Sequence, residues 1–329
     1  MRITPAEPVP ADIYTYVGVK PGDVLELGKV DAEGTPAAIN VVVPETAVGT
    51  VTVRTSCGSG SGTAPNIAIS VMGCPSMMDF YVTDSDNGAF VKRAAYGPSV
   101  DLSLEGFSGS LAATLSSTNV ALNTALSAEI QIVSGTYPLY STGARRIETN
   151  TETVNMPNVS NIEQLLITNV AGPDGYQQMN ATRSMYSGSP QVIDYAAMPM
   201  LPRVAGIDFS PTGLSWTESG PGTAEFVVSR LDVTRGELNN PLLDREYRRI
   251  LIAPHAGMTL KLPTLQGADA IYNPINGDSV GTALGIGSFP GGYDAIRELA
   301  FTVNNLIRLT PMDGTARVSY AGGAPVLGD

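Results

Sequence analysis

The sequence predicts an all-β fold built as two or three tandem antiparallel β-sandwich domains. Three observations carry that expectation. Apolar residues recur with a period of two in short runs, as at Leu214 and Trp216 and then, past the breaker-rich SGPGT, at Ala224, Phe226 and Val228. The 35 Gly and 24 Pro are spread along the chain, which suits many short strands separated by turns. Val, Thr, Ser, Ile and Tyr abound while long Glu/Lys/Leu/Ala tracts are absent. With 329 residues, 43% of them hydrophobic and 15% charged, the chain is long enough for several cores and too apolar for disorder.

In order, residues 1–20 read as an extended Pro-rich segment ending at Tyr14 and Tyr16: an edge strand, a linker, or a strand donated to a neighbouring subunit. Residues 21–101 form the first expected domain. Its strand candidates VLELGKV, AAINVVVP, VGTVTVRT, NIAISVMG, MDFYVTD and AFVKRAAY alternate with DAEGTP, PETAVG, GSGSG and DSDNG. Turn signals roughly every 8 to 12 residues are the spacing of a sandwich. Cys57 and Cys74 are the 2 cysteines and flank the GSGSG turn. Antiparallel pairing of Val51 to Arg54 with Ile67 to Met72 brings them together, so a disulfide closing roughly fifteen residues is expected. Two unrelated buried thiols are the alternative.

Residues 102–200 make a second expected domain, with alternation at Ala128, Ile130 and Ile132 and at Leu166 and Thr168, although several segments are polar on both faces. The PMLP at 199–202 reads as a linker. The third domain, residues 201–321, holds the Trp216 hairpin, YRRILIAP, GMTLKLPTL, a Gly-rich loop at Gly281 to Gly292 and two closing strands; residues 322–329 are a tail. Near 291–310 two patterns compete. Ile296, Leu299, Ala300, Val303 and Ile307 fit one face of a helix, whereas Leu299, Phe301 and Val303 fit a strand before an Asn304-Asn305 turn; the strand is favoured because a helix leaves Phe301 wet.

Charge and composition exclude some functions. The net charge is −12, which opposes nucleic-acid binding. The Arg245, Arg248 and Arg249 cluster is interleaved with Asp244 and Glu246 and reads as a self-neutralising, solvated strand face. No apolar run of about 18 residues is present to form a spanning helix. No signal peptide is visible, but the expected disulfide implies an oxidising, extracellular or cell-surface location.

The run Ser215-Trp216-Thr217, the following SGPGTAEFVV and the later RILIAP and LKLPTL resemble a fibronectin type III or related Ig-like module. The whole chain is similar in style to multi-module secreted bacterial β-sandwich proteins. That resemblance implies a binding, spacing or structural role and brings no catalytic residues with it.

Chemistry is sparse. His255, the single histidine, sits in the turn IAPHAGMT and reads as a loop residue, and no G-x-S-x-G elbow accompanies it. One His and two bridged Cys do not make a zinc site. Asp84, Asp86 and Asn87 before Gly88 recur in the opening of Ca²⁺ loops, but Ala95 stands where the bidentate Glu belongs, so a hairpin is the first reading and Ca²⁺ the second. Asn276-Gly277-Asp278-Ser279 is a weaker acidic turn. Tyr272, Phe289 and Tyr293 form a candidate ligand-facing aromatic patch, and Asn158-Val-Ser and Asn180-Ala-Thr are sequons. The expectation is a non-catalytic extracellular structural or adhesive protein without a cofactor, partnered by itself or by a surface protein or glycan. A glycan- or peptide-binding module and a hydrolase with an unrecognised site are the alternatives.

Overall fold

The computed structural model describes residues 11–17, 36–147, 151–188, 190–236, 245–298 and 307–322. Over these the protein is all-β, with strands arranged in four sheets. The N-terminal strand β1 (Ala11–Tyr16) belongs to the largest sheet, where its ladder partners run from Tyr247 to Ile252, far along the chain.

The next seven strands make one sheet: β2 (Ala37–Val42), β3 (Val51–Thr55), β4 (Gly58–Gly62), β5 (Asn66–Val71), β6 (Met77–Asp84), β7 (Gly88–Ala95) and β8 (Ser99–Asp101). Their order is β7-β6-β3-β4-β5-β2-β8, with only β2 and β8 parallel. Alternation sends Ile39 and Val41, Val51 and Val53, Ile67, Ile69 and Val71, and Met78, Phe80 and Val82 to one shared core. Phe90 and Val100, from strands at opposite ends of that order, reach the same core, so the sheet wraps its apolar face inward. The expected strand VLELGKV at 24–30 lies outside the described residues.

GSGSG is not a turn. It forms β4, inserted between β3 and β5, so the two strands expected to pair directly do not. Glycine is required because the backbones run so close: a Cβ on Gly58 would lie 2.0 Å from the Ser70 carbonyl oxygen, and one on Gly60 2.3 Å from that of Ala68. The disulfide forms nonetheless. Cys57 immediately precedes β4, Gly58 faces Val71, and Met72 N–H donates to Cys57 O at 3.0 Å, which places Cys74 within a Cα–Cα distance of 5.2 Å.

Strand β6 is buried on both sides. Its even residues fill the first core, while Tyr81 on the other face joins Leu126, Ile130, Ile132 and Leu139 of the next part of the chain, 6.0 Å from the Tyr140 ring. Burial and the neighbouring Tyr140 push the Tyr81 hydroxyl well above the ordinary tyrosine range.

The rest of the chain supplies β9 (Ser110–Thr118), β10 (Ala125–Ser134), β11 (Tyr137–Ser141), β12 (Arg145–Arg146), β13 (Thr151–Pro157), β14 (Glu163–Ala171), β15 (Gln177–Met185) and β16 (Gln191–Asp194). It continues with β17 (Arg203–Ser210), β18 (Gly213–Ser219), β19 (Phe226–Arg235), β20 (Arg245–Pro254), β21 (Thr259–Lys261), β22 (Ser279–Ser288), helix α1 (Gly292–Glu298) and β23 (Thr315–Ala321). A ten-stranded sheet runs β1-β20-β19-β22-β23-β15-β14-β10-β11, with β12 also on β10. It crosses the boundary read at 199–202, because β15 pairs with β23 from Gln178 opposite Ser319 to Thr182 opposite Thr315. The strands before and after that boundary therefore share one hydrogen-bonded ladder.

Two three-stranded sheets, β13-β9-β16 and β17-β18-β21, cover apolar patches of the large sheet. The first encloses Leu115, Val154 and Met156 with Leu126, Ala128 and Ile130; the second encloses Trp216, Leu214 and Val204 with Val227, Leu231, Leu251 and Ile286. Trp216 is 4% exposed, as its place in a core requires. Between the patches runs a buried polar strip. Gln178 Nε2 donates to Pro199 O at 3.0 Å, Gln178 Oε1 accepts from Leu201 N–H at 2.7 Å, and Asn180 Nδ2 donates to Thr168 Oγ1 at 3.1 Å. The PMLP segment is thus fastened to the sheet.

The Gly-rich stretch is a central strand and not a loop: β22 lies between β19 and β23. Its Gly287 faces Phe226, whose ring would stand 2.1 Å from a Cβ there, so the glycine makes room for the aromatic. On this opposite sheet face Phe226, Val228, Ile250, Ile252 and Val318 pack with Phe289 and with Ile296 of α1. Helix α1 covers Gly292–Glu298 and includes Ile296; Leu299, Ala300, Phe301 and Val303, on which the competing helix and strand patterns turn, lie outside the described residues.

Arg249 corrects the solvated-face reading of the basic cluster. It is 1% exposed, on the same strand parity as Tyr247 and Leu251, and its Nη2 donates to Pro263 O at 2.9 Å. Burial lowers its pKa, with the Tyr247 hydroxyl acting the other way. Arg248 does stay exposed and pairs with Asp232 at 3.0 Å.

Candidate functional site

A cleft of about 550 Å³ opens where the seven-stranded sheet meets the end of the ten-stranded one. Alternation on β6 and β7 turns Asp79, Val91 and Arg93 outward, away from the first core and toward the tight β10–β11 turn at Val133, Ser134 and Gly135. Asn161, in the loop before β14, and Glu163, the first residue of β14, close the other wall, and Met185 forms an apolar lip. Asn161 adopts a φ of 57°, a left-handed conformation that Asn tolerates better than most residues.

The cleft carries both signs of charge. Ser134 Oγ donates to Asp79 Oδ2 at 2.6 Å, and Arg93 Nη1 lies 3.9 Å from Asp79 Oδ1. Glu163 pairs at 3.3 Å with Arg183, which is rooted in the sheet by donating to Gly135 O and to Arg308 O. Desolvation lowers the Arg183 pKa and the Glu163 charge partly restores it. Such a surface offers neighbouring donors and acceptors of both signs beside Val91 and Met185.

No local pattern in the sequence marks these residues as a site. They come from positions 79 to 185 and share no motif.

The candidate residues that the sequence does offer lie elsewhere. Tyr272, Phe289 and Tyr293 do not form one patch. Tyr272 packs edge-on against Tyr247 at 5.4 Å in the Trp216 core, whereas Phe289, 3% exposed, and Tyr293 belong to the core on the other sheet face. Long chain segments folded over a two-faced sheet separate residues that are close in sequence. Asp84 is buried at the base of the β6–β7 hairpin, where Asp86 N–H donates to Oδ1 at 2.9 Å and Val48 N–H and Asn87 Nδ2 each donate to Oδ2 at 2.7 Å. Burial raises its pKa but those donors outweigh it, holding the carboxyl below the ordinary range. The arrangement is that of a hairpin closed by an Asx turn, and Asp84 faces donors where a cation would need open acceptors. Asp278 is likewise taken up, by a bidentate pair with Arg235 at 2.7 and 2.8 Å. Among the described residues no group of three His, Cys, Asp or Glu side chains stands together as a metal-binding set.

His255 is not isolated. Its Nε2 lies 2.7 Å from Glu218 Oε1, which also accepts Trp216 Nε1–H at 2.6 Å. One carboxylate oxygen thus ties the end of β20 to β18 beside the Trp216 core. Glu218 escaped notice because it sits 37 residues from His255, with no spacing rule to connect them. Of the two sequons, Asn158 is exposed in a loop, while Asn180 is 5% exposed with its amide committed to Thr168.

No family model matches the chain. No curated protein matches it either. Among solved structures it is similar to the crystal structure of chicken CNTN1 FN1–FN3 domains, with 11% identity, a TM-score of 0.14, and coverage of 77% of this chain and 92% of that one.

Proposed function

We propose that the protein is a non-catalytic structural or adhesive subunit of an extracellular or surface assembly, built from sandwich-type β units of Ig-like character. The observation that supports this most is the ten-stranded sheet that runs unbroken past residues 199–202. A continuous ladder, with the connecting segment fastened to it by Gln178, makes a stiff body out of what would otherwise be hinged modules. The polar groups best suited to chemistry serve as joints: Glu218 with His255 and Trp216, Asp84 in its hairpin, Asp278 with Arg235. The Cys57–Cys74 bridge supports an oxidising compartment. No helix among the described residues is long and apolar enough to cross a membrane. Light scattering of the full chain over a rising concentration series is expected to show mass growing beyond the 34.3 kDa monomer; a monomer mass throughout would overturn the assembly reading.

The junction cleft favours a second reading, recognition of a glycan. On that reading Arg93→Ala weakens binding on a glycan array by about tenfold, the loss of one charged hydrogen-bonding group. An array with no hits for the parent protein would remove it.

A further inference from the structure

We propose that β1 is an exchangeable strand, passed by one copy of this chain to the open edge of the ten-stranded sheet in a second copy. The inference rests on the structural-subunit reading and assigns it an interface.

β1 lies parallel to β20 in a six-residue register, from Ala11 opposite Tyr247 to Tyr16 opposite Ile252. The end of the strand has its own receptor: Val17 N–H donates to Ile252 O at 2.9 Å, and the Tyr293 hydroxyl, from α1, donates to Val17 O. Every one of these partners lies beyond residue 245. The chain following β1 belongs instead to β2 and the seven-stranded sheet, which docks through Tyr81 and Ala89 against the β10–β11 end. In the sheet order β1 and β11 are the two extremes. Eight intervals of about 4.8 Å put them on the order of 38 Å apart.

The roughly 20 residues between Tyr16 and Ala37 reach that far, since extended chain spans at most about 3.3 to 3.6 Å per residue. The tether therefore permits pairing in cis without enforcing it. The ladder and the Tyr293 contact are identical whether β1 comes from the same chain or a neighbour, so tether entropy and concentration decide between them. Covalent connection favours pairing within one chain when the protein is dilute, because that pairing does not depend on concentration. Pairing between copies gains as concentration rises, and in a packed assembly it competes with pairing within one chain. The resulting contact joins different surfaces of the two copies, and so propagates. An edge left open by withdrawal of β1 is itself a template for the incoming strand.

Asp12 faces Arg248 across the ladder, and Arg248 is exposed. Facing residues on paired strands lie within the Cα separation that a disulfide bridges. Full-length Asp12→Cys protein is mixed with full-length Arg248→Cys protein, concentrated, oxidised, and mapped by peptide mass analysis. The expected product is a covalent dimer linked between positions 12 and 248, its fraction rising with concentration. Absence of that link up to the highest concentration reached would overturn the exchange. A chain carrying both substitutions is expected to link within a monomer when dilute; if it forms no 12–248 link at all, β1 is not on β20 and the proposal falls by that route too. Assembly by scattering without the intermolecular link leaves the structural-subunit reading standing and removes only strand exchange. The link in discrete dimers that grow no further retains the exchange and removes the propagating contact.

Discussion

Trp216→Ala is expected to lower the stability of the body formed around the ten-stranded sheet by about 3 to 5 kcal/mol, the range for removing a buried large aromatic. The side chain is 4% exposed and stands between β18 and the strands β19, β20 and β22. Its loss leaves a cavity among Leu214, Val227, Leu231, Leu251 and Ile286, and it removes one of the two donors that Glu218 Oε1 holds. Against a typical total of about 5 to 15 kcal/mol, that is a large share. Trp216→Phe separates the two contributions, because it keeps most of the volume and loses the indole N–H; its expected cost is about 1 to 3 kcal/mol. Urea unfolding followed by far-ultraviolet circular dichroism measures both, since the single tryptophan cannot report on its own removal. Because β15 and β23 share a ladder, signals from the second and third stretches are expected to shift together. An unshifted midpoint in Trp216→Ala would mean the indole is not part of the core at all.

How far these features could be read beforehand follows from how local their causes are. The burial of Trp216 was legible because a period of two is written in consecutive residues. The hairpin expected to join it to Phe226 and Val228 does not form: β18 pairs with β17 and β21, while β19 pairs with β20 and β22 in the large sheet. Phe226 and Val228, on a strand buried on both faces, enter the core on the side opposite Trp216. The Cys57–Cys74 bridge was legible for a similar reason, although the strand between the two cysteines was not. Glycine carries two meanings that sequence alone does not separate. In GSGSG and in GTALGIGS it looks like punctuation, but at Gly58, Gly60 and Gly287 it marks a backbone or ring that comes too close for any Cβ. The partners that reveal this, Ser70, Ala68 and Phe226, are set by pairing.

Long-range pairing also hid the continuity of the sheet. Thr182 and Thr315 share a hydrogen bond at 3.0 Å across a separation of 133 residues, and nothing near either one announces it. The Pro-rich PMLP was read as a linker from composition, while its fastening depends on Gln178, a polar residue in a strand that looked weakly specified. Buried polar groups are the ones that periodicity treats as solvent-facing. Gln178, Asn180, Ser319 and Arg249 are all inside, and the junction cleft is assembled from the ends of several such strands.

Removing the disulfide, by Cys57→Ser with Cys74→Ser or by reduction, is expected to destabilise the seven-stranded sheet by about 3 kcal/mol, the value for a crosslink that closes roughly fifteen residues. The bridge spans a separation of 17 residues and encloses all of β4 and β5. Those are the strands that most need it, because β4 consists entirely of glycine and serine and offers the core no large side chain, while glycine loses more conformational freedom on ordering than any other residue. The crosslink lowers the entropy of the unfolded loop, and that offsets what β4 lacks in burial. The effect is expected to stay local. Hydrogen exchange should quicken at β3, β4 and β5 and remain unchanged at β19 and β22, which pack around a separate core. Protection in β4 that survives reduction would show that its ladders to β3 and β5 hold it unaided. Loss of protection in β19 as well would show that the first sheet and the large sheet unfold as one unit, coupled through Tyr81 and Ala89.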